Sequence, residues 1–356
     1  MTATAEAREA VPGAPMRAMV LEQFGGRFTL AERPTPAPGH DEVLVRVRAC
    51  GLGLSLEHAR KGLLGGSTPR VLGHELAGTV AAVGAGVEGW AAGDRVTTSF
   101  YMLCGRCHRC AEGRETLCVD NKGYFGLVKD GAFADYVAIP AHNLVRVPDA
   151  VELDSAGVVA DALATPYHVA LKRARISAGQ RVAVIGAGGG VGVHMLQMVR
   201  AFGGVPIAVE RDPAKLAELA RRGWAERIVD AAGEDWVAEL RNAADDRLDA
   251  CVDMVASAAT LAAGVDALGV GGTLVIVGFD VGADVVASSS RMLQQELTVT
   301  GSRYATRAEI AATLDLVALG AVEPVIGAEF PLEQLNEAFD AVREAATFGR
   351  VLIRCE

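Results

Sequence analysis

Short apolar runs separated by glycine and proline dominate the first 150 residues. Val43, Val45 and Val47 alternate with other residues across 42–48, a pattern that predicts an extended segment with these valines on one face. Further short strands are predicted at 77–83, 95–100, 133–139 and 144–147. Closely spaced strands with many turn residues are typical of a partly open β-barrel whose functional residues lie on loops.

From about residue 154 the pattern changes to alternating strands and helices. A buried strand is predicted at 181–185, a helix with apolar residues at helical spacing at 191–202, and a second strand at 206–209. Asp212 followed by Pro213 predicts the start of another helix. Further strands are predicted at 227–229, 249–252, 273–277, 297–299 and 350–354. This alternation predicts an α/β fold with a doubly wound parallel sheet.

Length and composition limit the class of protein. A chain of 356 residues suits about two domains, and 51% hydrophobic against 22% charged residues is a globular mixture. No apolar run approaches the ~20 residues of a membrane span. The net charge of -10 argues against nucleic acid or anionic lipid as a partner. Residues 1–15 lack the pattern of a secretory signal, so we expect a flexible tail on a cytoplasmic protein.

Four of the seven cysteines fall within fifteen residues, at Cys104, Cys107, Cys110 and Cys118. Clustered thiols in a chain without an export signal more often bind metal than form disulfides. Four thiolates surround zinc tetrahedrally at ~2.3 Å and leave no position open for water or substrate. The spacing therefore predicts one structural zinc, and the alternative is four reduced surface thiols.

A glycine-rich turn follows the predicted strand at 181–185. Gly186, Gly189 and Gly192 form a G-x-x-G-x-x-G pattern that also contains Gly190. Glycines here permit a sharp turn and a close approach to a pyrophosphate, which the helix N-terminus can bind. Glu210 ends the next strand, where its carboxylate can accept hydrogen bonds from an adenosine ribose. The pattern predicts a nicotinamide dinucleotide site, against the alternative of a purely structural glycine turn.

Glu210 also bears on the choice of dinucleotide. A carboxylate about 4 Å from a 2′-phosphate costs on the order of 4 kcal/mol at an effective dielectric near 20. NAD(H) is therefore favoured over NADP(H). Arg211, the next residue, reduces this preference.

With these motifs in hand, the chain resembles the zinc-containing medium-chain dehydrogenase/reductase family of the alcohol dehydrogenase type. The resemblance rests on the four-cysteine lobe, the glycine turn, Gly73-His74-Glu75, Gly271-Gly272, Gly301-Ser302 and Thr306-Arg307. It implies a GroES-like catalytic domain of residues 16–153 and 301–356, with the zinc lobe at about 100–120, and a Rossmann domain of residues 154–300. It also implies an active site in the cleft between the domains, a small-molecule substrate, and a homodimer or homotetramer. By the same resemblance, Arg350 contacts the cofactor pyrophosphate, and Val277 and Phe279 are assigned to the cofactor site.

The sequence departs from the family at the catalytic zinc. The family has a cysteine ligand where this chain has Gly53, and an aspartate that supports the metal where it has Leu56. His74 with Glu75 matches the second ligand motif, and Asp161 falls at the third. Because an open catalytic site normally has three protein ligands, we do not expect a firmly held catalytic zinc. His74 and Asp161 are then expected to be a hydrogen-bonded buried pair, and weak metal binding at His74, Glu75 and Asp161 is the alternative.

Ser55 and His58 match the proton relay of the family, in which a hydroxyl passes the alcohol proton through the nicotinamide ribose to an imidazole. The alternative is a turn serine and a surface histidine. An NAD(P)-dependent alcohol dehydrogenase or carbonyl reductase is the first hypothesis, with Ser55 or Tyr167 replacing the metal as hydrogen-bond donor. Metal-independent reduction of an activated C=C bond, in an enal, enone or enoyl thioester, is the second. A non-catalytic NAD(H)-binding protein is the third.

Overall fold

The computed structural model describes residues 11–356, which divide into two compact units. The first runs to Ala160 and includes Glu329–Glu344 and Val351–Glu356, and the second comprises Asp161–Ala328 and Ala345–Arg350. Residues 301–328 group with the second unit in this division, whereas the family resemblance implies that residues 301–356 belong to the catalytic domain. The physical reason is that their helix packs on a helix of the second unit. No helix among residues 11–356 is both long and apolar enough to cross a bilayer.

The first unit is rich in short strands. Its elements are β1 (Pro15–Leu21), β2 (Phe28–Pro34), β3 (Glu42–Leu52), α1 (Leu54–Arg60), β4 (Arg70–Val71), β5 (Glu75–Val83), β6 (Arg95–Thr98), α2 (His108–Ala111), β7 (Tyr136–Pro140), β8 (Leu144–Arg146) and α3 (Leu153–Val158). A π-helical turn, Val159–Leu163, follows α3.

The second unit alternates strands and helices. Its elements are α4 (Ala164–His168), β9 (Arg181–Ile185), α5 (Gly192–Ala201), β10 (Val205–Glu210), α6 (Pro213–Arg222), β11 (Arg227–Asp230), α7 (Trp236–Ala243), β12 (Leu248–Asp253), α8 (Ala258–Ala267), β13 (Leu268–Ile276), α9 (Ser289–Gln295), β14 (Thr298–Gly301) and α10 (Arg307–Ala318). The chain ends with β15 (Ile326–Pro331), α11 (Leu335–Arg343) and β16 (Arg350–Arg354).

Two sheets form the β-rich unit, with strand orders β2-β1-β4 and β15-β16-β3-β5-β6-β8, and β7 pairs with β3. The predicted strand at 42–48 is longer, because β3 continues to Leu52 and pairs with β5, β7 and β16. Leu44 is as fully buried as Val43 and Val45. The alternating pattern thus predicts burial of only one face of β3, whereas residues of both faces are buried because β3 is a central strand with α3 packed on it.

The second unit contains a six-stranded parallel sheet with the order β11-β10-β9-β12-β13-β14. This order confirms the predicted doubly wound fold. Asp212 caps α6 as predicted, since its Oδ1 accepts a hydrogen bond from the Lys215 N–H at 3.0 Å. The strand predicted at 273–277 begins earlier, at Leu268, because the register with β12 shifts where Gly271 adopts a positive φ of 77°.

Candidate active site and zinc site

The glycine-rich turn connects β9 to α5 and depends on glycine at defined positions. Gly186 has a φ of +78°, a conformation that side chains disfavour. A Cβ on Gly192 would lie 2.2 Å from the Gly186 carbonyl oxygen, so only glycine lets α5 pack this closely on the turn. A Cβ on Gly189 would meet the same oxygen at 3.3 Å. At the N-cap of α5, Val191 has no polar side chain to bond the first-turn N–H groups, which suits a phosphate ligand.

Glu210 ends β10 and is hydrogen-bonded to the glycine-rich turn. Its Oε2 accepts from the Gly188 N–H at 2.9 Å, and its Oε1 accepts from the N–H groups of Arg211 at 2.8 Å and Asp212 at 3.2 Å. The side chain is buried, whereas Arg211 is exposed. Three backbone N–H donors therefore fix the position of the carboxylate next to the turn.

Two residues beside the turn carry no clear sequence signal. Lys215 is buried, and a Cβ on Gly188 would lie 2.8 Å from the Cβ and Cδ of Lys215, so the lysine stem covers the turn. Its position in the first turn of α6, five residues after Glu210, is the one sequence feature that points to it. His194 is buried in α5, where its Nδ1 donates to the Gly190 carbonyl at 2.7 Å and its Nε2 accepts from the Val325 N–H at 2.8 Å. A histidine on the apolar face of a predicted helix gives no indication of these partners.

Arg350 lies against the same turn. Its Cδ is 3.0 Å from the position of a Cβ on Gly190, and its Nη2 donates to Asp161 Oδ2 at 3.0 Å. Asp161 Oδ1 accepts a second hydrogen bond, from Thr165 Oγ1 at 2.8 Å. Val277 and Phe279 follow β13 at the carboxyl edge of the parallel sheet, and Phe279 is 48% exposed.

The four clustered cysteines gather their sulfur atoms at one point. Cys107 Sγ lies 3.5 Å from Cys110 Sγ and 3.9 Å from Cys118 Sγ, and Cys118 Sγ lies 3.5 Å from Cys104 Sγ. A tetrahedral zinc with ~2.3 Å bonds requires sulfur atoms about 3.8 Å apart, so the cluster fits a closed zinc site. Among residues 11–356, no other group of three or more Cys, His, Asp or Glu side chains meets the same criterion for a metal site.

The electrostatics of the lobe also suit a cation. Backbone N–H groups of Cys110 and Val119 lower the pKa of Cys107 to about 6. Burial raises the pKa of Cys110. A bound dication lowers the pKa of every coordinating thiol, so the ligand form is the thiolate at all four positions.

The predicted relay residues lie on α1 of the first unit. Gly53 is the extended N-cap of this helix, and Ser55 and His58 follow three residues apart, which places them on one face. Ser55 Oγ is buried and has no hydrogen-bond partner among the described residues. A buried hydroxyl without a partner is costly unless a ligand satisfies it.

His74 and Glu75 lie where β5 begins. The His74 ring is buried and packs on the Phe100 ring, with ring centroids 4.3 Å apart. The Phe100 ring in turn packs against the rings of Tyr101 and Tyr124. Glu75 is fully buried, and a Cβ on Gly51 would lie 2.3 Å from its Oε2. The glycine at position 51 therefore makes room for the Glu75 carboxylate.

These donors do not fit an open catalytic zinc. Gly53 offers no side-chain ligand, and both carboxylate oxygens of Asp161 accept hydrogen bonds, one of them from the Arg350 guanidinium. A cation on Asp161 would face that guanidinium at close range. The residues at these positions therefore do not form the three-ligand set of an open catalytic zinc site.

Comparison with known proteins agrees with this architecture. Residues 39–149 match the family model of the alcohol dehydrogenase GroES-like domain, and residues 190–318 match that of the zinc-binding dehydrogenases. The chain is 30% identical over 349 residues to an NAD-dependent alcohol dehydrogenase of Sulfurisphaera tokodaii, covering 95% of this chain and 99% of that one. It is 28% identical to an acryloyl-coenzyme A reductase of Metallosphaera sedula, with coverage of 95% and 99%.

A solved structure of acetophenone reductase from Geotrichum candidum in complex with NAD is similar as well. It superposes with a TM-score of 0.85 at 28% identity, covering 97% of this chain and 98% of that one. The fold and these relatives identify the chain as an oxidoreductase. The chain belongs to the zinc-containing medium-chain dehydrogenase/reductase family of the alcohol dehydrogenase type, which confirms the resemblance and the predicted fold class.

Proposed function

We propose that the protein is an NAD(H)-dependent dehydrogenase or reductase that interconverts a small alcohol and its carbonyl compound without a firmly held catalytic zinc. The observation that carries this proposal is the glycine-rich turn with the Glu210 carboxylate hydrogen-bonded to Gly188. The alcohol dehydrogenase and acetophenone reductase names of two relatives support the substrate class. One structural zinc in the four-cysteine lobe completes the proposal.

The choice of NAD(H) over NADP(H) rests on the charge at Glu210. Its carboxylate is held in place by three N–H donors, so it cannot turn away from a 2′-phosphate without losing them. At about 4 Å and an effective dielectric near 20, the repulsion is on the order of 4 kcal/mol. Arg211 and Lys215 are nearby cations that reduce this penalty, so the preference is for NAD(H) without strict exclusion of NADP(H).

We assign the contact with the substrate oxygen to Ser55, which lies on α1. A bound nicotinamide supplies the hydride acceptor or donor. The buried Ser55 hydroxyl, which has no partner among residues 11–356, can donate to a carbonyl oxygen or accept the proton of an alcohol. In oxidation Ser55 takes the alcohol proton while its own proton passes toward His58, on the same face of α1; in reduction the transfer runs the other way, and the imidazole exchanges protons with solvent.

Tyr167 is a second hydrogen-bond donor that remains protonated at neutral pH. Burial, together with the charge of Glu309, raises the pKa of its hydroxyl. A neutral phenol can donate to a developing oxyanion. Ser55 remains the first choice because its hydroxyl is buried and has no hydrogen-bond partner in the part of the chain that the structure describes.

Reduction of an activated C=C bond is the second candidate. Gly53 in place of a metal ligand favours it, because hydride transfer to a β carbon needs a proton donor for the α carbon and no Lewis acid. The similarity to acryloyl-coenzyme A reductase over nearly the whole chain supports the same chemistry.

The test is a screen of NADH and NADPH oxidation with acetophenone, an enone and acryloyl-coenzyme A, before and after dialysis against a chelator. We expect turnover of the ketone with NADH, unchanged by chelation that leaves one zinc per chain. Turnover of the enone or thioester alone selects the second candidate. NADH binding without turnover of any substrate indicates a non-catalytic binding protein, and dependence on a second metal ion contradicts the proposal.

Substitution of Ser55 sharpens the test. Ser55→Ala is expected to lower kcat by about 100-fold with little change in the Kd of NADH, in line with the usual contribution of a positioned acid or base. Ser177→Ala, at an exposed serine, is the matched control and should keep full activity. Equal kcat in both variants would contradict the role of Ser55.

The protein is further proposed to form a homodimer or homotetramer. Val270, Val281, Val286 and Leu293, at the carboxyl side of the second unit's sequence, are 67–81% exposed. Apolar side chains concentrated in one segment are typical of a surface that a second protein covers. Light scattering after size exclusion should give two or four times the 37.0 kDa chain mass, and a monomer at micromolar concentration would contradict this proposal.

A further inference from the structure

Asp161 is bonded to residues of the dinucleotide site. Its Oδ2 accepts from Arg350 Nη2 at 3.0 Å, and its Oδ1 accepts from Thr165 Oγ1 at 2.8 Å. The Arg350 side chain is 5% exposed and that of Asp161 is 15% exposed. This is a nearly buried ion pair in which the hydroxyl of Thr165 orients the carboxylate.

The pair is built onto the glycine-rich turn. The Cδ and Nη1 of Arg350 lie 3.0 and 3.4 Å from the position of a Cβ on Gly190, so a larger residue there would displace the arginine. The neighbouring Gly349 N–H donates to the Gly188 carbonyl at 3.3 Å. Arg350 is therefore held at the turn by the backbone of the preceding residue as well as by the bond of its guanidinium to Asp161.

Buried hydrogen bonds connect the backbone of Arg350 to the start of α5. The Arg350 N–H donates to the Val325 carbonyl at 2.8 Å, the Val325 N–H donates to His194, and His194 donates to the Gly190 carbonyl. Backbone and side chain of Arg350 are thus both fixed relative to Gly190. Asp161 itself lies in the π-helical turn Val159–Leu163, an irregularity that often accompanies functional residues in helices.

We propose that Asp161 is a positioning residue of the dinucleotide site, where its carboxylate orients the Arg350 guanidinium toward the cofactor pyrophosphate. The inference rests on the proposed function, because it assumes that the glycine-rich turn binds a dinucleotide. A guanidinium has five N–H donors and can bond a carboxylate on one edge and a phosphate oxygen on another. An arginine that is already ordered loses little conformational freedom on binding, which favours affinity.

This role differs from that of a metal ligand. Both oxygens of Asp161 accept hydrogen bonds, one of them from the Arg350 guanidinium, so a metal ion on this carboxylate would lie close to a second positive charge. The carboxylate also opposes the charge of a phosphate. If Asp161 mainly orients Arg350, its replacement should weaken pyrophosphate binding; if it mainly repels the phosphate, its replacement should strengthen binding. Binding measurements therefore separate the two effects.

The experiment is calorimetric titration of purified wild-type protein, Asp161→Ala, Asp161→Asn and Thr165→Val with ADP-ribose, which contains the pyrophosphate, and with AMP, which does not. We expect Asp161→Ala to weaken ADP-ribose binding about tenfold and AMP binding less than twofold. Asp161→Asn keeps an acceptor for Arg350 and should weaken ADP-ribose binding less than threefold. Thr165→Val should give a loss of two- to threefold.

Each other outcome has a defined meaning. Unchanged or tighter ADP-ribose binding in the folded Asp161→Ala protein overturns the proposal, as does an equal loss for ADP-ribose and AMP. A fall in zinc content from two per chain to one in Asp161→Ala also overturns it, in favour of a metal ligand. If Asp161→Ala fails to fold, Asp161→Asn and Thr165→Val still test the proposal, because the first should bind ADP-ribose less than threefold more weakly than the wild-type protein and the second two- to threefold more weakly. Failure of the wild-type protein to bind ADP-ribose and NADH at all contradicts the proposed function instead.

Discussion

His194 makes the stability of the second unit sensitive to mild acid. Its Nε2 accepts a hydrogen bond from the Val325 N–H, and its Nδ1 donates to the Gly190 carbonyl. An imidazolium carries a proton on both nitrogens and cannot accept, so protonation opposes the bond to Val325. Burial, with a contribution from the Arg350 charge, lowers the pKa of His194 to about 3.

The magnitude follows from linkage. A histidine in the unfolded chain titrates near ~6.5, so the unfolded state takes up the proton first and stability falls as the pH drops below that value. The loss continues until the folded-state pKa of about 3 is reached. Between pH 7 and pH 5, the difference in proton binding lowers the free energy of unfolding by about 2 kcal/mol.

Urea unfolding at pH 7 and pH 5 measures this loss. In a Trp90→Phe background, fluorescence of Trp224 and Trp236 reports on the second unit. His194→Gln does not titrate, so it should lose about 2 kcal/mol less than the parent protein over this range, although it is less stable at pH 7. His40→Gln, at an exposed histidine, is the control and should behave as the parent. An equal loss in His194→Gln and the parent would refute the assignment of a neutral, buried acceptor.

Three further predictions concern the zinc lobe, the glycine turn and a buried ion pair. Metal analysis of the wild-type protein should give one zinc per chain. Cys118→Ser should lose this zinc together with thermal stability, whereas Cys50→Ser should keep it. Retention of the zinc by Cys118→Ser would exclude a four-thiolate site. Gly192→Ala places a Cβ 2.2 Å from the Gly186 carbonyl oxygen and should lower the Tm strongly. In Gly189→Ala the Cβ lies 3.3 Å from the same oxygen, so this variant should keep the Tm and bind NADH more weakly. Similar Tm values for the two variants would contradict the turn geometry. Burial raises the pKa of Glu309, but bonds from His168 and Thr306 outweigh it, so its net pKa is lowered. Its stabilisation is therefore present above the unfolded-state value and lost as the pH falls through the folded pKa, so Glu309→Gln should flatten the decline in stability below about pH 4.5, which acid titration of unfolding checks.

Local signals explain what the sequence predicts well. The N-terminus of α6 is determined by residues 212–215: Asp212 is the N-cap, Pro213 is the first helical residue, and the Asp212 side chain accepts the cap hydrogen bond from the Lys215 N–H. The four-cysteine site is likewise predictable from the spacing of its cysteines, because a short loop is enough to bring the sulfur atoms together. In such cases the physical partners are near neighbours in the chain.

Long-range pairing explains what it does not predict. His194 and Val325 are 131 residues apart, and Asp161 and Arg350 are 189 apart, so no local pattern joins them. Asp161 matches a family position for a metal ligand, yet its carboxylate bonds Arg350, a partner that the packing of the second unit determines. The burial of both faces of β3 depends in the same way on its neighbours in the sheet.

The three amide hydrogen bonds on Glu210 limit how this enzyme can change its cofactor. Replacing the carboxylate with a small neutral residue would admit a 2′-phosphate, but it would also leave the N–H groups of Gly188, Arg211 and Asp212 without their acceptor. If the protein uses NAD(H) as proposed, a change to NADP(H) therefore requires at least two substitutions, one that removes the charge and one that supplies another acceptor for these N–H groups. A single exchange at this position is expected to yield a weaker enzyme for both cofactors before it yields one with the opposite preference.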